Sequence, residues 1–173
     1  PEYQDLMAMV RSFNDLIPVL RRTVWERMAE TDPVTGLNDP GAMVPQADVM
    51  IRTWSEAETR SLVVLDITAP EGGPVTEEVL AFCGRFLKDS LRPDQPAYHL
   101  GSGRIAIMLD GHPEAAARSE GHQLADALGG QEILLSNGSL ARVRATAGAG
   151  GFTAPAEIDH ALAEAERGAA EGS

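Results

Sequence analysis

At 173 residues the chain has room for one domain with a full core and a helical extension, but not for two ordinary domains. Lys and Arg number 14 against 26 Asp and Glu, a net charge of −12, which argues against a nucleic-acid polymer or an anionic membrane surface as partner, since either needs bound cations to neutralise phosphate. Cys83 is the only cysteine, so an intramolecular disulfide or a cysteine metal cluster is excluded and a reduced, cytoplasmic setting is expected; no stretch approaches the roughly 18 apolar residues of a membrane span, and no signal peptide is visible.

The chain opens at Pro1 rather than Met, from which an upstream domain is expected. Apolar residues at Leu6, Val10, Phe13, Ile17, Leu20 and Val24 follow an alternating four-three spacing. This stripe reads as a helical seam over residues 1–31, suited to pairing with a second copy or to packing on its own domain. Pro18 interrupts it and predicts a kink or a break. The turn formers of "TDPVTGLNDPGAM" follow, then a helix over 41–57.

Residues 61–67, "SLVVLDI", form a continuous apolar run that delivers Asp66 to the edge of a sheet. A helix over 75–91 places Val79, Leu80, Cys83, Phe86 and Leu87 on one face. In "AYHLGSGRIAIMLDG" the glycines at 101 and 103 suit a tight hairpin joining strands 97–100 and 104–109. A helix over 113–128 and a second hairpin, "ILLSNGSLARVRATAG", turning at Asn137-Gly138, come next. The last helix is expected at 155–167, with residues 168–173 a frayed tail. Strands alternating with helices and hairpins predict an α/β or α+β domain.

His99, His112, His122 and His160 show no mutual metal-ligand spacing, and each reads as structural or exposed. Ser102 has no local histidine and acid to make it a nucleophile.

In their order along the chain, "DPVTGL" at 32–37, "VVLDI" at 63–67 and "LGSGRIAIMLDG" at 100–111 resemble the GGDEF family, the diguanylate cyclase domain of bacterial second-messenger signalling. The first resembles the family's D-x-L-T-G-L opening, the second its metal-binding strand and the third its signature hairpin; "RATAGAGGF" and "IDHALAEAERG" resemble the closing strand and helix. The likeness runs from about Thr31 to Arg167. It implies a central mixed, mainly antiparallel sheet flanked by helices over residues 32–173, behind an N-terminal helical or coiled-coil signalling linker at 1–31.

The resemblance also implies that two GTP molecules, one per domain, condense with a divalent metal held by acids of the first strand and the hairpin. Here Gly101, Ser102, Gly103, Arg104 and Ile105 fill the five signature positions, so both hairpin acids are replaced. Asp66 is a remnant metal ligand, while the second strand acid has become Thr68. "TAPEGGPVTEE" lacks the phosphate-binding lysine, Glu166 falls at the other usual lysine position, and Lys88, the chain's only lysine, lies on a different helix. Of the family's R-x-x-D inhibitory motif Arg92 is kept, with Gln95 at the acidic position and Asp94 one residue early.

These departures predict a catalytically inactive domain serving signalling, dimerisation or partner binding in cyclic-di-GMP-type signalling. The expected partners are a second copy through the N-terminal helix, and a further protein or upstream sensor. The alternative is a receptor for GTP or cyclic di-GMP without turnover, and a third reading is a working cyclase with unusual metal ligands. No cofactor is expected, and Mg only if nucleotide binding is retained. Arg104 is expected to pair with Asp66 across adjacent strands.

Overall fold

The computed structural model describes residues 5–11, 31–54 and 57–172. Residues 5–11 are helical, and Leu6 and Val10 on that helix are exposed. Phe13, Ile17, Pro18, Leu20 and Val24, the rest of the expected seam, lie outside the described residues.

The strands are β1 (Arg60–Thr68), β2 (Ala97–Gly101), β3 (Arg104–Asp110), β4 (Ile133–Leu134), β5 (Leu140–Ala141) and β6 (Arg144–Phe152). The helices are α1 (Met43–Val49), α2 (Glu77–Ser90), α3 (Glu114–Gly129) and α4 (Ile158–Glu171). The main sheet has four strands in the order β2-β3-β1-β6, all neighbours antiparallel, and one parallel bridge from Asn38 to Tyr98. The architecture is the mixed α/β, mainly antiparallel sheet with flanking helices that the resemblance implies.

β1 is central because both of its faces are apolar. Val63, Leu65 and Ile67 point to a layer formed by Val79, Cys83 and Leu87 of α2 and by Ala117, Ala125 and Leu128 of α3. Leu62 and Val64 point the other way, into Ala47 of α1 and Ile158, Ala161, Ala165 and Ala169 of α4. Each fully buried Leu, Ile or Val contributes roughly 1.5–3 kcal/mol, which is why a strand with no polar face holds the middle position.

α2 starts at Thr76, whose hydroxyl accepts from the Val79 N–H at 3.4 Å. Burial pushes the Cys83 thiol on this helix up to about 11. Tyr98 is completely buried, its phenol is pushed up by burial, and its Oη donates to Gln46 Oε1.

Three expectations are corrected. The helix expected at 41–57 is a 3-10 turn at Pro40–Ala42, then α1, then a π-helical turn at Met50–Trp54. The second hairpin closes as the short β4–β5 pair alone, because the residues from Arg144 on are taken up by the main sheet as a neighbour of β1. The chain after 167 is not a frayed tail: α4 continues to Glu171, Ala169 is buried, and the Ala169 carbonyl accepts from Thr146 Oγ1 at 2.7 Å.

β6 can lie this close to α4 only because it is glycine-rich. A Cβ at Gly148 would stand 2.1 Å from the Ala165 carbonyl oxygen, and one at Gly150 would stand 2.1 Å from that of Ala161. Both obstacles are helix backbone and cannot rotate away. Gly150→Ala is therefore expected to lower the unfolding free energy by more than the usual 1–3 kcal/mol of overpacking, about 3 kcal/mol or above, read from urea unfolding. A loss below about 0.5 kcal/mol would show that α4 is not seated as described.

Candidate functional site

The hairpin at 101–104 is a tight turn in which Ser102 and Gly103 are the loop and Gly101 pairs with Arg104. Gly101, Ser102 and Gly103 have φ of 99°, 54° and 78°. Glycine meets this demand without strain at two of the three positions. The turn folds back on the end of β1, where the Ile67 N–H donates to the Gly103 carbonyl at 2.9 Å. A Cβ at Gly103 would stand 2.4 Å from the Ile67 carbonyl oxygen. The third signature position is thus closed to any side chain in this conformation.

Arg104 stands directly opposite Asp66 in the β1–β3 ladder, as the sequence predicts. The expected ion pair is not formed. Arg104 is exposed and Asp66 only half-buried, so little desolvation drives one side chain onto the other. At the far end of the same ladder the buried Arg60 does pair, its Nε 3.0 Å from Asp110 Oδ1. Ile105 is buried, Thr68 is half-buried opposite Arg144, and Glu166 lies on α4. Among the described residues no three His, Cys, Asp or Glu side chains converge to hold a metal ion.

A second structured region precedes the sheet. Asp32 Oδ2 accepts from the Thr35 N–H at 2.8 Å and from Thr35 Oγ1 at 2.6 Å, and His99 Nδ1 lies 3.1 Å from the same oxygen. Burial pushes the Asp32 carboxyl up, but the hydrogen bonds from Thr35 and the interaction with His99 outweigh it and hold the group below its ordinary value. The loop is also stitched to β2 through Asn38 N–H to the Ala97 carbonyl at 3.0 Å and His99 N–H to the Asn38 carbonyl at 3.1 Å. On its other side the Thr35 carbonyl oxygen is 2.3 Å from where a Cβ of Gly84 would be, so α2 meets the loop at its glycine. His112 and His160 make surface contacts with Glu120 at 2.9 Å and Glu164 at 3.2 Å.

The third region was only half visible in sequence. Arg92 follows the end of α2, with its Nε 3.5 Å from Asp94 Oδ1 at an exposed site. Its backbone N–H donates to Oε1 of the buried Gln95 at 3.1 Å. Arg92 and Gln95 line a cavity of about 480 Å³ between α2 and the 31–38 loop, together with Arg85, Lys88 and Asp89. Arg85 was not singled out from sequence. The signal was its i, i+3 spacing to Lys88 in a chain otherwise poor in cations. Ala97, the first residue of β2, lines this cavity, whereas the 101–104 hairpin lies at the other end of that strand, so the structure does not bring Arg92 to Asp66.

Comparison with solved structures identifies the arrangement. The GGDEF domain of FimX from Pseudomonas aeruginosa superposes with a TM-score of 0.67 at 17% identity, covering 82% of this chain and 92% of that one. This chain has the GGDEF-domain fold. The coiled coil and GGDEF domain of DgcB from Caulobacter crescentus, solved with c-di-GMP, matches at TM-score 0.62 and 16% identity over 96% of this chain and 89% of that one. The diguanylate cyclase SiaD from Pseudomonas aeruginosa, solved with its activator SiaC, matches at TM-score 0.69 and 14% identity over 99% of this chain and 68% of that one. No protein-family model and no curated protein matches the sequence. The divalent metal that the GGDEF resemblance implies does not fit the residues present: one carboxylate, Asp66, faces an arginine position, and Gly103 offers no ligand.

Two outcomes are expected. Gly103→Asp, which places an acid at the third position of the turn, should cost about 2 kcal/mol or more in urea unfolding through clash and positive-φ strain; unchanged stability would mean that the turn can re-form elsewhere. Because the folded Asp32 carboxyl titrates below its unfolded value, its contribution is complete above the unfolded value and is lost as pH falls through the folded one. Asp32→Asn should therefore lose about 1–2 kcal/mol at pH 7, with the gap to the native chain closing below about pH 4. A gap independent of pH would show that the charge on Asp32 does not contribute.

Proposed function

We propose that this chain is a catalytically inactive member of the GGDEF family that serves as a signalling, dimerisation or partner-binding module of cyclic-di-GMP-type signalling in the bacterial cytoplasm. The observation that carries this reading is the 2.4 Å approach of a Gly103 Cβ position to the Ile67 carbonyl, with Arg104 in register opposite Asp66. Metal-assisted attack of a 3′-hydroxyl on a triphosphate needs several hard oxygen ligands and cations facing phosphate. Here β1 supplies one acid, Asp66, and the hairpin supplies no acid but a cation, Arg104, that competes with a metal. A GGDEF-fold neighbour solved with its activator protein supports the partner-binding role, and another solved with its coiled coil supports pairing through the N-terminal helix. Leu6 and Val10, four residues apart and exposed, belong to that pairing stripe.

A second reading, binding of GTP or cyclic di-GMP without turnover, draws on Arg92 lining the cavity beside α2.

Incubation of the chain with GTP and magnesium or manganese should give no cyclic di-GMP by chromatography. Product above a buffer blank overturns the proposal. The same preparation should sediment as a weak dimer that Leu6→Glu with Val10→Glu converts to monomer. A native monomer at high concentration removes the dimerisation part of the reading.

A further inference from the structure

We propose that the cleft between α2 and the 31–38 loop binds a small ligand through its phosphate groups and does not read a base. This deepens the receptor reading above by naming what the cleft recognises, and it does not depend on whether the hairpin turns over GTP.

The first argument is charge. In a chain of net charge −12, the only lysine and two arginines converge on one cavity of about 480 Å³, a volume ordinary for a small-molecule site. Arg85 and Lys88 lie three residues apart on α2, hence side by side on one face, and Arg92 follows where the helix ends. Lys88 reaches across the cleft: its Nζ lies 3.9 Å from the Cβ position of Gly36 in the opposing loop. Asp89 is the single carboxylate lining the cavity.

These cations are not committed elsewhere. Among the described residues neither Arg85 nor Lys88 has an ion-pair partner, whereas Arg52, Arg60, Arg118 and Arg142 each stand within 3.0 Å of a carboxylate. The contact of Arg92 with Asp94 is long and exposed, the kind of pair that a bound anion displaces at little cost.

The second argument is the balance of donors and acceptors. Phosphate is an acceptor-only group, matched by guanidinium and ammonium. A guanine edge presents N–H donors as well, and needs a fixed side-chain acceptor to be told from adenine. Gln95 lines the cavity, and its Oε1 receives the Arg92 N–H at 3.1 Å, which leaves one lone pair for a ligand. Asp89 is exposed and makes no hydrogen bond with a described residue that would fix it. The cleft is thus rich in charged donors and offers one remaining lone pair on a held side-chain acceptor, too little for the two adjacent N–H donors of a guanine edge, which favours phosphate and leaves the base unread.

The test is isothermal titration calorimetry of the full chain, without magnesium, against pyrophosphate, guanosine, ATP, GTP and cyclic di-GMP. Pyrophosphate, ATP and GTP are expected to bind, with ATP and GTP within about threefold of each other, and guanosine is expected to be silent. Replacing Arg85 and Lys88 together by Ala should weaken pyrophosphate at least about tenfold while leaving the melting temperature unchanged, since both residues lie on the exposed face of α2. Preference for GTP or cyclic di-GMP over ATP by more than about tenfold would overturn base-blind binding and leave the receptor reading standing. Silence from every ligand would remove both. Binding of pyrophosphate that is indifferent to the double substitution would place the anion elsewhere and end the proposal.

Discussion

The close contact between the hairpin turn and the end of β1 sets what can stand at the tip of the hairpin. Ile67 gives its N–H to the Gly103 carbonyl, and its own carbonyl occupies the space a side chain at 103 would need. The contact ties the turn to the central strand and keeps Arg104 in register with Asp66. The same contact leaves no room for a side chain at position 103. The turn geometry and the residue at 103 are therefore linked: as long as the chain folds back on Ile67 in this conformation, position 103 has room only for glycine.

The β1–β3 ladder shows how context decides whether opposed charges interact. Arg60 and Asp110 face each other at one end, Asp66 and Arg104 at the other, with identical register. Arg60 is 3% exposed and bound also to the Ala57 carbonyl at 2.7 Å, so its charge has to be met by protein groups. Arg104 is exposed and has water as an alternative. The Asp66–Arg104 end of the ladder is the solvated one. It carries both signs of charge side by side without pairing them.

Much of the fold was legible in the sequence because its signals were local. β1 announced itself as an unbroken apolar run, and the hairpin through glycines placed where positive φ is needed. What was missed depended on distant partners. Residues 168–171 read as a loose tail because Gly, Ala and Ala have little apolar surface, yet that smallness lets α4 settle on β6, with Gly168 against Gly148. The arm after Asn137-Gly138 read as the second half of a hairpin, but its apolar residues are claimed by β1. The Asp66–Arg104 register followed from counting residues; whether the side chains meet depends on solvent access, which counting does not supply. The cationic cleft was hidden because α2 carries Arg85 and Lys88 whereas Arg92 lies beyond its end, and only the seating of the 31–38 loop turns them into walls of one cavity. Likewise Asp32 and His99 lie 67 residues apart in the chain and become partners only in the fold.

The burial of Cys83 has a practical consequence. The chain's one thiol sits beneath α2 with no exposed surface, and burial raises it to about 11, so at neutral pH it is both shielded and protonated. It becomes reactive only when α2 lifts from the sheet. The molecule thus carries a one-site clock: the rate at which a thiol reagent labels Cys83 counts the openings of the same helix that holds the 31–38 loop and forms one wall of the cationic cleft.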